Sequence, residues 1–227
     1  MRTTSTTSHR LAQRPDGTPV PLAPGRGPAA LAAAGGAFIA YPALRPYADE
    51  TTLAGAEAMA SGAWVLAHLL GMAGFVLVAL GMTMTAQGQR ARRWAAALAW
   101  LGAALVLPFY GAETFGLRVI GQHALAENSA EVLALAEELR MGATQITMFG
   151  IGLLAVAGAG VALAIATWRG GALARTAGLA TGAGLVLYLP QFFGTPVLRV
   201  GHGLLLGAGL LLLAAGLAQR PGGRTRR

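Results

Sequence analysis

The sequence predicts an all-α polytopic membrane bundle of six transmembrane helices. Only 11% of the residues are charged and 55% are hydrophobic, with a mean hydropathy of +0.56. Soluble domains carry about 25% charged residues. The shortfall is concentrated in long, almost uncharged runs of spanning length. Arginine clusters follow alternate runs, which is how orientation in a membrane is encoded.

Residues 1–28 are rich in Thr, Pro, Gly and Arg and poor in large apolar side chains. They cannot bury enough surface to offset their ordering entropy, so a disordered cytoplasmic tail is expected. The first helix is expected over residues 29–44, broken up by Gly35, Gly36 and Pro42. A basic tail ahead of a short apolar run is also the pattern of a cleaved signal, so both readings stay open, with a retained helix preferred. The second run, Ser61 to Ala86, crosses about 30 Å of hydrocarbon at about 1.5 Å per residue. Arg90, Arg92 and Arg93 follow it at once. The third run is Trp94 to Gly111, and the fourth is Gly142 to Trp168 with Arg169 and Arg175 behind it. The fifth is Thr176 to Phe193 and the sixth Val200 to Leu217, giving a membrane domain over residues 29–218. Residues 219–227 form a second basic tail.

With the N-terminus inside, thirteen of the 17 arginines lie inside and eight of the nine acids outside. The opposite orientation reverses nearly every cluster, so both termini are expected in the cytoplasm. Asn128 followed by Glu131 reads as an N-cap with a capping-box acid. The helix it opens either lies on the outer surface or extends the fourth helix outward. Glycines within the apolar runs, such as Gly71 four residues before Phe75 and Gly74 four before Val78, allow close helix approach.

The chain also matches itself. LPFYGAETFGLRVIGQH (107–123) and LPQFFGTPVLRVGH (189–202) share Leu-Pro, an aromatic-Gly pair, Leu-Arg-Val, Gly and His. AYPALRPY, with Pro42 and Arg45, is a fainter third copy at the end of helix one. Three parallel two-helix hairpins about an axis normal to the membrane would explain this, as would chance self-alignment of Ala/Gly/Leu-rich sequence.

Composition removes several chemistries. The chain has no cysteine, hence no disulfide, thiolate metal site or thiol redox step. It has no lysine, hence no Schiff base. The net charge of +8 sits in juxtamembrane clusters, so nucleic acid is not an expected partner. Phosphate-binding loops, HExxH and GxSxG are missing.

The remaining polar residues gather at one depth, the outer third. They are Tyr41, His68, Tyr110, Glu113, Gln145, Gln191, Arg199 and His202, with Arg118 and His123 just beyond. Polar groups at membrane depth are costly and turn inward to pair, which points to a polar pocket open to the outside. Three chemistries fit. His68 and His202, assisted by Glu113 or His123, suit zinc, copper or haem iron, although their separation matches no metal motif. Glu113 with a histidine suits acid–base catalysis on a lipid-soluble substrate, with Glu113, His68 and His202 as the catalytic candidates. Arg118 and Arg199, with Tyr110, Gln145 and Gln191, suit binding of an anionic or lipidic molecule. Pro42, Pro108 and Pro190 read as kinks or terminators.

The segments AHLLGMAGFVLVALG and LPFYGAETFGLRVIG (67–121) resemble small, uncharacterised multi-helix integral membrane proteins of actinobacteria. That resemblance implies a bacterial plasma membrane location and brings no catalytic residues. Membrane-bound terpene cyclases use paired carboxylates, whereas Glu113 is the one clear membrane-embedded acid here. The carrier signature Pro-x-acid-x-x-basic is missing. The leading expectation is an outward-facing pocket for a lipidic ligand or cofactor. An enzyme and a structural subunit are the alternatives. The bilayer and a lipid-soluble small molecule are the expected partners, and cofactor identity and oligomeric state stay open.

Overall fold

The computed structural model describes residues 25–86 and 88–219. Its regular structure is helical, with no strand among the described residues. In chain order the helices are α1 (Arg26–Leu44), α2 (Leu53–Ala60), α3 (Gly62–Thr85), α4 (Arg90–Gly111), a π-helical turn (Ala112–Gly116), α5 (Leu117–Glu127), α6 (Ala134–Met141), α7 (Ala143–Trp168), α8 (Ala172–Val186) and α9 (Pro196–Ala218). Five stretches are long and apolar enough to cross a membrane: α1, α3, the continuous rod Arg90–Glu127, α7 and α9. α8 has 15 residues, about 22 Å, and gives way to a 3-10 turn at Pro190–Phe193. Of the tails expected at residues 1–28 and 219–227, residues 1–24 and 220–227 lie outside the described residues. Arg26 to Pro28, expected in the tail, form the first turn of α1.

The long helices form a closed ring in chain order. α1 packs on α3, α3 on α4, α4 on α7, α7 on α8, α8 on α9, and α9 returns to α1. Glycine permits the close seams. A Cβ on Gly35 would lie 2.8 Å from the Gly207 carbonyl across α1 and α9, and one on Gly160 2.7 Å from the Gly182 carbonyl across α7 and α8. Gly71 and Gly74 of α3 make room for rings instead, those of Tyr110 and Phe38. Inside the ring Phe38, Phe75, Tyr110, Phe149 and Tyr188 pack edge to face or tilted. Outside it Leu66, Leu101, Leu154, Val161, Ile165 and Leu204 are exposed, leaving an apolar belt.

One end of the ring carries a cap. α2, α5 and α6 share a small core of Ala56, Met59, Leu117, Ala124, Leu133 and Ala136, joined to the ring by Trp64. Gly121 of α5 sits against the α2 backbone; a Cβ there would lie 2.7 Å from the Ala56 carbonyl. Two expectations change here. The third helix does not end at Gly111, where the apolar run ends: the rod continues to Glu127, so His123 stands on a helix, exposed and paired with Glu127 at 3.2 Å. Asn128 is no N-cap; it ends α5 in the left-handed conformation, φ 49°, which Asn tolerates better than most residues. Ser129 Oγ instead accepts from the Glu131 N–H at 3.3 Å, and α6 follows a 3-10 turn.

Candidate functional site

The site begins at a disturbed stretch of α4. Pro108 lacks an N–H and crowds the carbonyl one turn earlier, which a membrane helix tolerates by local readjustment. The readjustment is the π turn, an extra residue in the helical repeat of the kind that marks functional positions. Thr114, fully buried, donates its hydroxyl to the Tyr110 carbonyl at 2.6 Å. The Glu113 carbonyl accepts from the Trp64 indole at 2.7 Å, so α3 and α4 are tied together at this depth.

The Glu113 side chain then turns inward. Its Oε2 lies 3.6 Å from His68 Nε2. The His68 Nδ1 lies 2.7 Å from the Trp64 carbonyl oxygen, so Nδ1 carries a proton and Nε2 is the ring atom offered to the carboxylate. From the cap, Arg140 of α6 clasps both Glu113 oxygens: Nε to Oε1 at 2.5 Å and Nη2 to Oε2 at 3.2 Å. Its Nη1 reaches Glu50 at 2.6 Å, and Glu50 in turn accepts from Arg45 at 2.7 Å. Arg45 lies over the Trp64 ring at 4.6 Å and the Tyr47 ring at 5.1 Å. Burial works against the charge on Arg140, but the hydrogen bonds and charges of Glu113 and Glu50 outweigh it and hold its pKa above the ordinary arginine value.

These residues border a cavity of about 310 Å³ at the capped end of the ring. Its walls are mostly apolar: Phe109 stacked on Phe149 with centroids 4.0 Å apart, then Ile146, Met141, Leu189, Phe192 and Phe193. Tyr41 and Tyr110 line its aromatic side, and the Tyr110 hydroxyl meets that of Tyr188 at 2.8 Å. The rim is charged, with Arg45, Glu50, Glu113, Arg140 and Arg199. Phe193 is 88% exposed and Met141 54%, so the wall between α6 and the 3-10 turn after α8 also presents apolar side chains at the molecular surface. A more open space of about 360 Å³ continues the cavity outward past Arg45, Tyr47, Glu50 and Arg199. Toward the opposite end of the ring, the space beside Leu31, Met82, Leu163 and Leu213 is only about 10 Å³.

The structure brings together Tyr41, His68, Tyr110, Glu113 and Arg199 from the expected set. Arg199 donates to the carbonyls of Gly194 at 3.1 Å and Phe192 at 2.6 Å, bracing the 3-10 turn. His202 and Gln191 line a separate space of about 10 Å³ beside it. There His202 Nε2 lies 2.7 Å from the Gly184 carbonyl, one of the carbonyls that α8 leaves unpaired where it ends. Arg118, half-buried on α5, and Gln145, half-buried in the first turn of α7, line neither the cavity nor the open space beyond it. Among the described residues no three His, Asp or Glu side chains are placed to hold a metal ion, and the ring nitrogens of His68 and His202 that meet carbonyls lie on separate helices.

Sequence reasoning did not single out Arg140, Glu50 or Trp64. Arg140 carried one signal, a lone cation in a segment with Glu127, Glu131, Glu137 and Glu138. No family model matches the chain, and neither does any curated protein or solved structure.

Proposed function

We propose that this chain is a bacterial plasma-membrane protein of six crossings, with both termini cytoplasmic, whose outward-facing cavity binds a lipidic ligand. The observation that carries the reading is the cavity: aromatic walls, a charged rim and exposed apolar side chains bordering one 310 Å³ space. Ligand sites are concave and mostly apolar with few polar groups, and about 300 Å³ is the small end of their range.

The orientation is supported by charge. Arg90, Arg92, Arg93, Arg169 and Arg175 flank the ring connections opposite the cap, while Glu50, Glu113, Glu131, Glu137 and Glu138 lie on the cap side. Exposed Trp94 and Trp168 at the arginine-rich end suit an interfacial belt. A sixth crossing by α8 is favoured by its place in the closed ring between α7 and α9. The three-hairpin reading draws on the α1–α3, α4–α7 and α8–α9 pairings and on Tyr41 of α1, Tyr110 of α4 and Tyr188 just after α8, which cluster in the interior.

The His68–Glu113 contact favours a second reading, acid–base catalysis on a lipid-soluble substrate. Both Glu113 oxygens already accept from Arg140, which makes the carboxylate an anchor and favours binding.

The test is thermal melting of the purified chain in an uncharged detergent with decanol as probe. Decanol should raise the midpoint saturably, and Ile146→Trp, which fills the cavity, should abolish the rise while the protein alone still melts cooperatively. No saturable rise in the native chain would sink the reading. An optical spectrum and elemental analysis of the same sample check for a haem band or stoichiometric metal, which would redirect the site to cofactor binding.

A further inference from the structure

We infer that the ligand is a single-chain amphiphile with an anionic, phosphate-type head, its tail in the aromatic cavity and its head in the open space between Arg45 and Arg199. The inference rests on the binding reading above and specifies the ligand class.

The first argument is a charge count at the rim. Three guanidinium groups (Arg45, Arg140, Arg199) face two carboxylates (Glu50, Glu113), a surplus of one positive charge. The second is how those charges are used. Arg140 spans both carboxylates, and Arg45 shares Glu50 with it. Both acids are thereby neutralised locally. Arg199 is different, because it is oriented by two backbone carbonyls. Those bonds fix its planar fork without cancelling its charge, which is the arrangement that suits a phosphate oxygen. The third is position. Arg199 borders both the apolar cavity and the open space beyond it, and so do Arg45 and its ion-pair partner Glu50. An amphiphile lying across that boundary would put its head between the two arginines and beside Tyr47. The tail would enter past Phe193 and Ile146, apolar side chains that are 88% and 47% exposed.

A cationic head is the opposite possibility, since aromatic walls also attract quaternary ammonium groups. Here the carboxylates that would complete such a site are already held by Arg140. The surplus charge then repels a cation.

Four probes decide the matter with the full chain in uncharged detergent: decyl phosphate, decanol, decyltrimethylammonium and inorganic phosphate. Dissociation constants come from equilibrium dialysis. Decyl phosphate should bind about tenfold tighter than decanol, the factor one charge-assisted contact supplies. In Arg199→Gln decyl phosphate should bind no tighter than decanol, and a cooperative thermal melt shows that the variant is folded. Arg199→Lys should restore part of the advantage. Equal binding of decyl phosphate and decanol, or tighter binding of the ammonium probe, overturns the anionic head while the cavity reading survives. Inorganic phosphate binding as tightly as decyl phosphate would mean a free-phosphate site and overturn the amphiphile. If no decyl probe binds, the cavity reading itself fails.

Discussion

Glu113→Gln preserves volume and removes charge, so it isolates what the carboxylate contributes. In the native site Glu113 answers Arg140 with both oxygens and faces His68, with its side chain only 12% exposed. Removing one partner of a buried ion pair leaves the other charge uncompensated and costs about 3 kcal/mol. The melting midpoint in detergent should fall clearly below that of the native protein; an unchanged midpoint would show that the carboxylate is not an anchor. His202 gives the opposite contrast. His202→Phe keeps a ring beside Tyr188, whose centroid is 5.2 Å away, but leaves the Gly184 carbonyl without its partner. A lost buried hydrogen bond costs about 1–3 kcal/mol. The variant should therefore melt earlier while binding decanol as the native chain does, because His202 does not line the cavity. Two membrane histidines that look alike in sequence thus differ in role because one meets a carboxylate and the other a helix end.

At the scale of elements, α6 is the piece whose attachment is easiest to test. It reaches the ring through Arg140 and through Leu139, which packs at Gly116 of the π turn, while Ala136 joins the cap core; Gly142, at ψ 139°, separates it from α7. In Arg140→Gln the amides of α6 should exchange with deuterium at least about tenfold faster, while those in the middle of α3 and α7 keep their protection. Uniform loss of protection would mean that Arg140 holds the whole ring. The long helices were legible because apolar length is a compositional property; α3 and α7 begin and end within a residue of the expected bounds. The π turn was not, since no residue type announces one extra residue in a helix, and Pro108 alone is equally compatible with a kink. Asn128 was misleading for a physical reason: the same side chain suits a cap at a helix start and a left-handed residue at a helix end. Half of the site was legible from depth alone, as for His68, Tyr110, Glu113 and Arg199. Arg140 was not, because its partner lies 27 residues away and only the folding back of α6 brings them together.

At the scale of the molecule, the ring order makes a topological statement that one set of labels can check. The chain contains no cysteine, so a single introduced one is the sole thiol reporter. Gly171 lies between α7 and α8 with open space where a Cβ would go. Glu138 is exposed on the cap, and Val197 is 80% exposed just after the 3-10 turn. If the six ring helices all cross, positions 138 and 197 share one side and position 171 the other. In intact cells a membrane-impermeant maleimide should label Glu138→Cys and Val197→Cys, and Gly171→Cys only once the membrane is opened. The short α8 makes this decisive. At about 22 Å it falls short of a hydrocarbon core of about 30 Å, so its crossing depends on the 3-10 turn filling the remaining depth. Labelling of positions 171 and 197 from the same side would show that α8 does not cross. The cavity wall formed by Leu189, Phe192 and Phe193 would then lie on the face opposite the cap, and the site built from both could not exist in the membrane.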